Sequence, residues 1–188
     1  MIANKAAEYM GIFFDAIETG TAETVCVLLA EHPRLIKCQN EKQESALFIA
    51  CQVGNPEVVS ILLRHNADSS EADIYDTSCL HVCATPAVAE VLLSEGADVD
   101  AANKLGLTPL HYHVLHNNLD MVKVLLANGS DCTIAEHGMG ATPLHYAADK
   151  ANFLLLSALI EGNPVNIDTN MRDNDGDTAL HKVASYNG

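Results

Sequence analysis

A chain of 188 residues with 25 acidic and 10 basic side chains carries a formal net charge of −15. That field repels nucleic acid and anionic membranes, because phosphate recognition needs cations. Its 48% hydrophobic content suffices for a continuous core, yet no stretch approaches the roughly 18 to 20 apolar residues of a membrane span.

Between Met1 and Gly20 the acids Glu8, Asp15 and Glu18 break any secretory hydrophobic region. The chain therefore reads as soluble and intracellular, cytoplasmic with the nucleus also open to it. Cys26, Cys38, Cys51, Cys79, Cys83 and Cys132 have no framework spacing and read as reduced thiols that act as small core hydrophobes. From Met1 to Gln39 the pattern is that of a divergent terminal unit. Gly11-Ile-Phe-Phe14 lies 34 residues before Ser45, and Val25 to Leu29 forms an apolar run at the matching offset. Glu8, Glu18 and Glu23 suit an outer face that meets water.

Ser45-Ala-Leu-Phe48 opens a phrase that recurs as Ser78-Cys-Leu-His81, Thr108-Pro-Leu-His111, Thr142-Pro-Leu-His145 and Thr178-Ala-Leu-His181. A hydroxyl that caps the orphan amides of a helix start predicts a helix opening at each copy, and at Thr108 and Thr142 the Pro that follows at the first helical position adds to it. The spacings are 33, 30, 34 and 36 residues, which marks one supersecondary unit stacked on copies of itself. A second helix is predicted at Ile61-Leu-Leu63, Val91-Leu-Leu93, Val124-Leu-Leu126 and Ala158-Leu-Ile160. Asn66-Ala-Asp68, Gly96-Ala-Asp98 and Gly129-Ser-Asp131 supply left-handed turn chemistry after it.

The units differ in informative ways. Gly54 stands at an inter-helix turn. The short spacing from Ser78 to Thr108 falls between Leu80 and Val91, where Thr85-Pro86 stops the first helix early and makes a candidate bend. His113 brings bulk to a position that is Ala147 one unit later. Asn117 takes the turn position, since Asn tolerates the left-handed region. The connection Glu161 to Asn166 is long and enlarges one finger, and the chain reaches Gly188 just after the phrase at Thr178. A stack that stopped there would expose an apolar helix face, so a longer chain or a partner at that end is expected.

Together, Gly106-x-Thr-Pro-Leu-His111, the second-helix endings and Gly96-Ala-Asp-Val99 resemble the ankyrin repeat over nearly all 188 residues. The resemblance implies an all-α repeat solenoid, a curved stack of antiparallel helix pairs with β-hairpin finger loops. It divides the chain into a cap at 1–39, then 40–72, 73–102, 103–136, 137–170 and a truncated 171–188. It also implies a binding function without catalysis or cofactor.

Tempting chemical clusters have structural readings. His111 and His113 point about 200° apart on a helix, and a closed zinc site needs four converging ligands. Cys79 and Cys83 make half a site, and the phase gives Cys79, His81 and Cys83 packing positions. Asp173-x-Asp-Gly-Asp177 resembles a calcium loop, but its Gly is at position 4 and Ala184 holds position 12. Gly138-Met-Gly140 lacks the third glycine of a dinucleotide site.

No Lys or Arg lies between Arg64 and Lys104, and that window holds Asp68, Glu71, Asp73, Asp76, Glu90, Glu95, Asp98 and Asp100. By resemblance, binding positions are the two residues after each finger's first, the residue before the cap hydroxyl and the end of the first helix. These are Ile74, Tyr75 and Thr77; Lys104, Leu105, Leu107, Leu115 and His116; and Gly138, Met139, Ala141, Asp149 and Lys150. An apolar series with Tyr and Met at a finger edge suits an interface. The expected partner is a protein or peptide with basic residues around an apolar anchor, bound by an isolated domain that is monomeric. The alternative is a targeting or substrate-recruiting arm of a larger enzyme or effector whose catalysis lies beyond Gly188.

Overall fold

The hydroxyl residue of the phrase stands at the N-cap of a helix in a computed structural model describing residues 2–40, 42–162 and 167–186. Among these residues there are eleven α-helices, one 3-10 helix and two isolated antiparallel bridges, Gln39 with Ser45 and Ala72 with Ser78. This is a helical repeat solenoid, in two units covering residues 1–97 and 98–188.

The first unit holds α1 (Ile2–Glu18), α2 (Ala22–Glu31), the 3-10 helix Pro33–Lys37, α3 (Ala46–Val53), α4 (Pro56–Arg64), α5 (Cys79–Val82) and α6 (Pro86–Ser94). Phe13 and Leu47, 34 residues apart, are both fully buried, so the repeat phase extends into α1. The helix start does not. Gly11 to Phe14 lie inside the 17-residue α1, because no cap hydroxyl or Pro precedes them to open a helix at that point.

α5 has only four residues, against eight in α3. The chain from Cys83 onward leaves the helix and runs over the turn of the preceding pair. There the Ala84 N–H donates to the Cys51 carbonyl at 3.1 Å, and the Thr85 hydroxyl donates to the Gly54 carbonyl at 3.3 Å. Gly54 has φ of 82°, and a Cβ there would come within 2.9 Å of the Ala84 Cβ. Both its backbone angle and the close approach of the next segment therefore require glycine.

The second unit holds α7 (Pro109–Leu115), α8 (Leu119–Ala127), α9 (Pro143–Asp149), α10 (Phe153–Gly162) and α11 (Ala179–Tyr186). Leu110, Met121, Leu125, Leu155 and Leu159 are fully buried. At roughly 25 cal/mol per Å² of apolar area removed from water, each contributes about 1.5 to 3 kcal/mol. Asn117 takes φ of 56° between α7 and α8, and its side chain accepts from Asn152 Nδ2 at 3.1 Å. Of the connection from Glu161 to Asn166, residues 163–166 lie outside the described residues.

Candidate functional site

Each finger is closed by a hydrogen bond from its first N–H to the carbonyl four residues on, at Asn40, Asp73, Asn103 and Asp173. Their side chains do a second job. One Oδ1 accepts two amides from the finger's own backbone: Lys42 and Glu44 on Asn40, Tyr75 and Thr77 on Asp73, Leu105 and Leu107 on Asn103, and Asp175 and Asp177 on Asp173. The bonds are 2.8 to 3.0 Å long, well inside the normal range. The fourth finger residue then has positive φ, at Gln43, Asp76, Gly106 and Gly176.

One finger departs from this plan. Between Glu136 and Ala141 there is one residue more, and the longer Glu136 side chain accepts Gly138 N–H at 2.7 Å, Met139 N–H at 2.6 Å and Ala141 N–H at 3.2 Å. Burial pushes the Glu136 carboxyl up, but the amides of Gly138, Ala141 and Met139 outweigh it and hold it below the ordinary carboxylate range. The finger begins at Glu136, not at His137, so Met139 is its fourth residue, directly before Gly140 with its φ of 65°. Ala141 was expected at the surface and is 4% exposed; its N–H is turned inward by this carboxylate.

Fingers of the second unit are joined to one another. His137 N–H donates to the Leu105 carbonyl, and Asn174 donates through its main chain to Met139 and through Nδ2 to Gly138. The phrase histidines join helices to the same frame. His111 Nδ1 accepts the Thr108 main-chain N–H at 3.2 Å, which places the ring proton on Nε2. Nε2 then donates to the Ala141 carbonyl at 3.2 Å. His145 repeats this with Thr142 and the Asp177 carbonyl. Both ring nitrogens are thereby used, and neither histidine presents a lone pair to a metal.

The residue just before the positive-φ turn residue, Asp76, Gly106 or Gly140, carries the apolar surface. Tyr75 is 63% exposed in the first unit, with Ile74 beside it; in the second unit Leu105 is 64% and Met139 52% exposed. Thr77 and Leu107 are half-buried, Lys104 is exposed, and the finger amides at 77 and 107 are spent on the turn. At the end of α7, Leu115 is half-buried and His116 is exposed, stacked on Tyr112 at 4.2 Å with Nδ1 on the Tyr112 carbonyl. Asp149 and Lys150 are exposed, but the Lys150 ammonium donates to the Leu115 carbonyl at 2.7 Å. Lys150 thus caps α7. Tyr112 and Tyr146, each following a phrase histidine, are half-exposed on the same helices and were not singled out from the sequence. The identical phase of two aromatics was the available signal.

Acidic groups at the fingers and turns are less uniform than their count implies. Asp68 accepts the Ser70 hydroxyl and N–H, bonds that hold its carboxyl below the usual range. Asp98 accepts Asp100 N–H, and Asp100 accepts Ser130 Oγ and Asp131 N–H. Their charge contributes to the field, while their geometry serves the turns. Asp76 is exposed at the finger tip beside Tyr75.

Among the described residues no helix is long and apolar enough to cross a membrane. A family profile for Ankyrin repeats matches in three copies, at residues 13–103, 85–168 and 110–188. The chain is 30% identical to the chicken Nuclear factor NF-kappa-B p105 subunit, across 80% of this chain and 16% of that protein. It is 31% identical to human Inversin, across 76% of this chain and 14% of that protein. Mouse NF-kappa-B inhibitor delta is 31% identical across 81% of this chain and 54% of its own length. The chain therefore spans a minor part of the first two relatives and about half of the third.

Proposed function

The chain belongs to the ankyrin-repeat family, and from that premise we propose that it is a non-catalytic scaffold whose fingers and inner-helix ends dock a protein or peptide with basic residues around an apolar anchor. Ankyrin repeats mediate protein–protein interaction. The observation that carries the finer reading is the position just before each positive-φ turn residue, where Tyr75, Leu105 and Met139 are each more than half exposed on turns whose amides are bonded from beneath. Large side chains on a preorganised frame lose little entropy on binding. The surrounding acids favour a cationic partner and speed its approach.

We place this activity in the cytoplasm or nucleus, in a domain that is monomeric when isolated. Because two of the relatives carry NF-kappa-B in their names, NF-kappa-B proteins are the first partners to test. Tyr75→Ala or Leu105→Ala is expected to weaken binding in a calorimetric titration by about 1 to 3 kcal/mol, with the melt unchanged. Asp73→Asn with Asp76→Asn keeps the turn acceptor, as Asn40 and Asn103 do, and is expected to slow association mainly at low ionic strength. Normal binding by Tyr75→Ala together with a requirement for Lys123, exposed on α8, overturns the assignment and moves docking to the second helices.

A further inference from the structure

Among the tyrosines with described side chains, three pack against a histidine ring: Tyr9 on His32 at 4.2 Å, Tyr112 on His116 at 4.2 Å, and Tyr146 edge-on to His111 at 6.0 Å. All three are half-buried. Tyr75 differs. It is 63% exposed and stands just before Asp76, whose φ is 59°. Glu71, Asp73 and Asp76 flank it, and no Lys or Arg lies between Arg64 and Lys104. An exposed phenol in an acidic stretch free of cations complements a catalytic cleft lined with basic residues.

Phosphoryl transfer in such a cleft also needs the acceptor stretch drawn straight, and this finger is built to yield locally. Asp73 N–H donates to the Thr77 carbonyl at 3.1 Å, and the Tyr75 and Thr77 N–H groups donate to Asp73 Oδ1 at 2.8 Å. Ile74, Tyr75 and Asp76 are all exposed, so straightening them uncovers little apolar surface. Segments of that kind open far more often than the whole fold does. The turn residue adds to this. Gly106 and Gly176 take the same conformation in their fingers, whereas Asp76 carries a Cβ in the left-handed region and is relieved of that strain on opening.

We propose that Tyr75 is a modification site, the acceptor of a tyrosine kinase. Its phenol oxygen attacks the γ-phosphorus of ATP, the phenol proton passes to a base of the kinase, the bond from that phosphorus to the bridging oxygen breaks, and ADP leaves. The product carries about −1.5 to −2 charges beside Asp76. An apolar contact becomes a solvated dianion, which shuts the docking edge of this finger. That consequence rests on the docking reading given above; the assignment of the acceptor does not.

The 188-residue chain and a synthetic peptide of residues 69–78 are each incubated with magnesium-ATP and the purified catalytic domain of a broad-specificity tyrosine kinase that prefers acidic flanks. Mass spectrometry then locates the phosphate. Incorporation at Tyr75 is expected, at a rate within about a hundredfold of the peptide's, and Tyr75→Phe is expected to lower total incorporation about tenfold or more. Glu71→Gln with Asp76→Asn is expected to slow chain and peptide by about threefold or more at low salt. Asp76→Gly should slow the chain more than the peptide, since only the chain has a turn to relax. These exposed or half-buried positions are checked by an unchanged melt. Phosphate on Tyr9, Tyr112 or Tyr146 with Tyr75 unmodified overturns the proposal, as does no effect of the neutral flanks. A chain slower than that hundredfold bound overturns it too, because the acceptor is then reached only by global unfolding. Failure of the docking reading shows instead in the titration of Tyr75→Ala and leaves the phosphate map unchanged.

Discussion

Removing the Glu136 carboxylate tests whether the long finger is held from within. In Glu136→Ala three amides lose their acceptor. Gly138 and Met139 are exposed and can be rehydrated, so each loses only the net value of its bond, about 0.5 to 1.5 kcal/mol. Ala141 is 4% exposed, and leaving its N–H unsatisfied costs about 1 to 3 kcal/mol. The expected loss is about 4 kcal/mol, or about 8 to 16 °C in Tm for a chain of this size. Glu136→Gln keeps one oxygen and loses the charge, so it is expected to cost about half as much. The pH dependence follows from the depressed carboxyl. A group whose folded pKa lies below its unfolded value contributes stability that is complete above the unfolded value, about 4.3 for Glu, and is lost as pH falls through the folded one. Thermal melts of the natural chain and Glu136→Gln should therefore differ fully at pH 7 and converge in acid below that value. A gap that stays constant from pH 7 to pH 3, or Glu136→Ala melting with the natural chain, would refute the account.

Gly106→Ala is expected to destabilise by about 2 kcal/mol or more in urea denaturation, since a Cβ there falls 2.6 Å from the His137 ring at a φ of 77°. His111→Ala should cost about 2 to 5 kcal/mol, because it leaves the buried Thr108 N–H without its acceptor and the Ala141 carbonyl without its donor, and opens a cavity. His181→Ala, at an exposed ring with the same Thr178 contact, should cost about 1 kcal/mol by the same melt. Equal losses for the two histidines would show that the forward bond to the next finger adds nothing.

Much of this fold is legible in the phrase Thr108-Pro-Leu-His111, because local rules act there without competition: a hydroxyl cap, a Pro whose missing N–H costs nothing, and a His that returns to the cap. The shortened α5 is legible for the same reason, Pro86 being a local stop. The long α1 was not, since Gly11 carries a repeat phase but no stop signal, and phase alone does not open a helix. At the candidate site, Asp73, Asn103 and Asp173 recur in step with the phrase, yet in sequence an aspartate reads as charge before it reads as a turn acceptor. Glu136 was hidden further, by a side chain of different length and by the inserted residue that this length accommodates. The exposed Tyr75, Leu105 and Met139 were found because their positions follow the phase alone.

The bonds from His111 and His145 to the following finger end on carbonyl oxygens of Ala141 and Asp177. A main-chain oxygen is present whatever residue bears it, so the joint is indifferent to sequence on its far side. Units joined this way are interchangeable parts: one can be duplicated, lost or replaced and the joint re-forms with its new neighbour. The tips stand outside that contract, and selection can rewrite them for a new partner without renegotiating the scaffold that holds them.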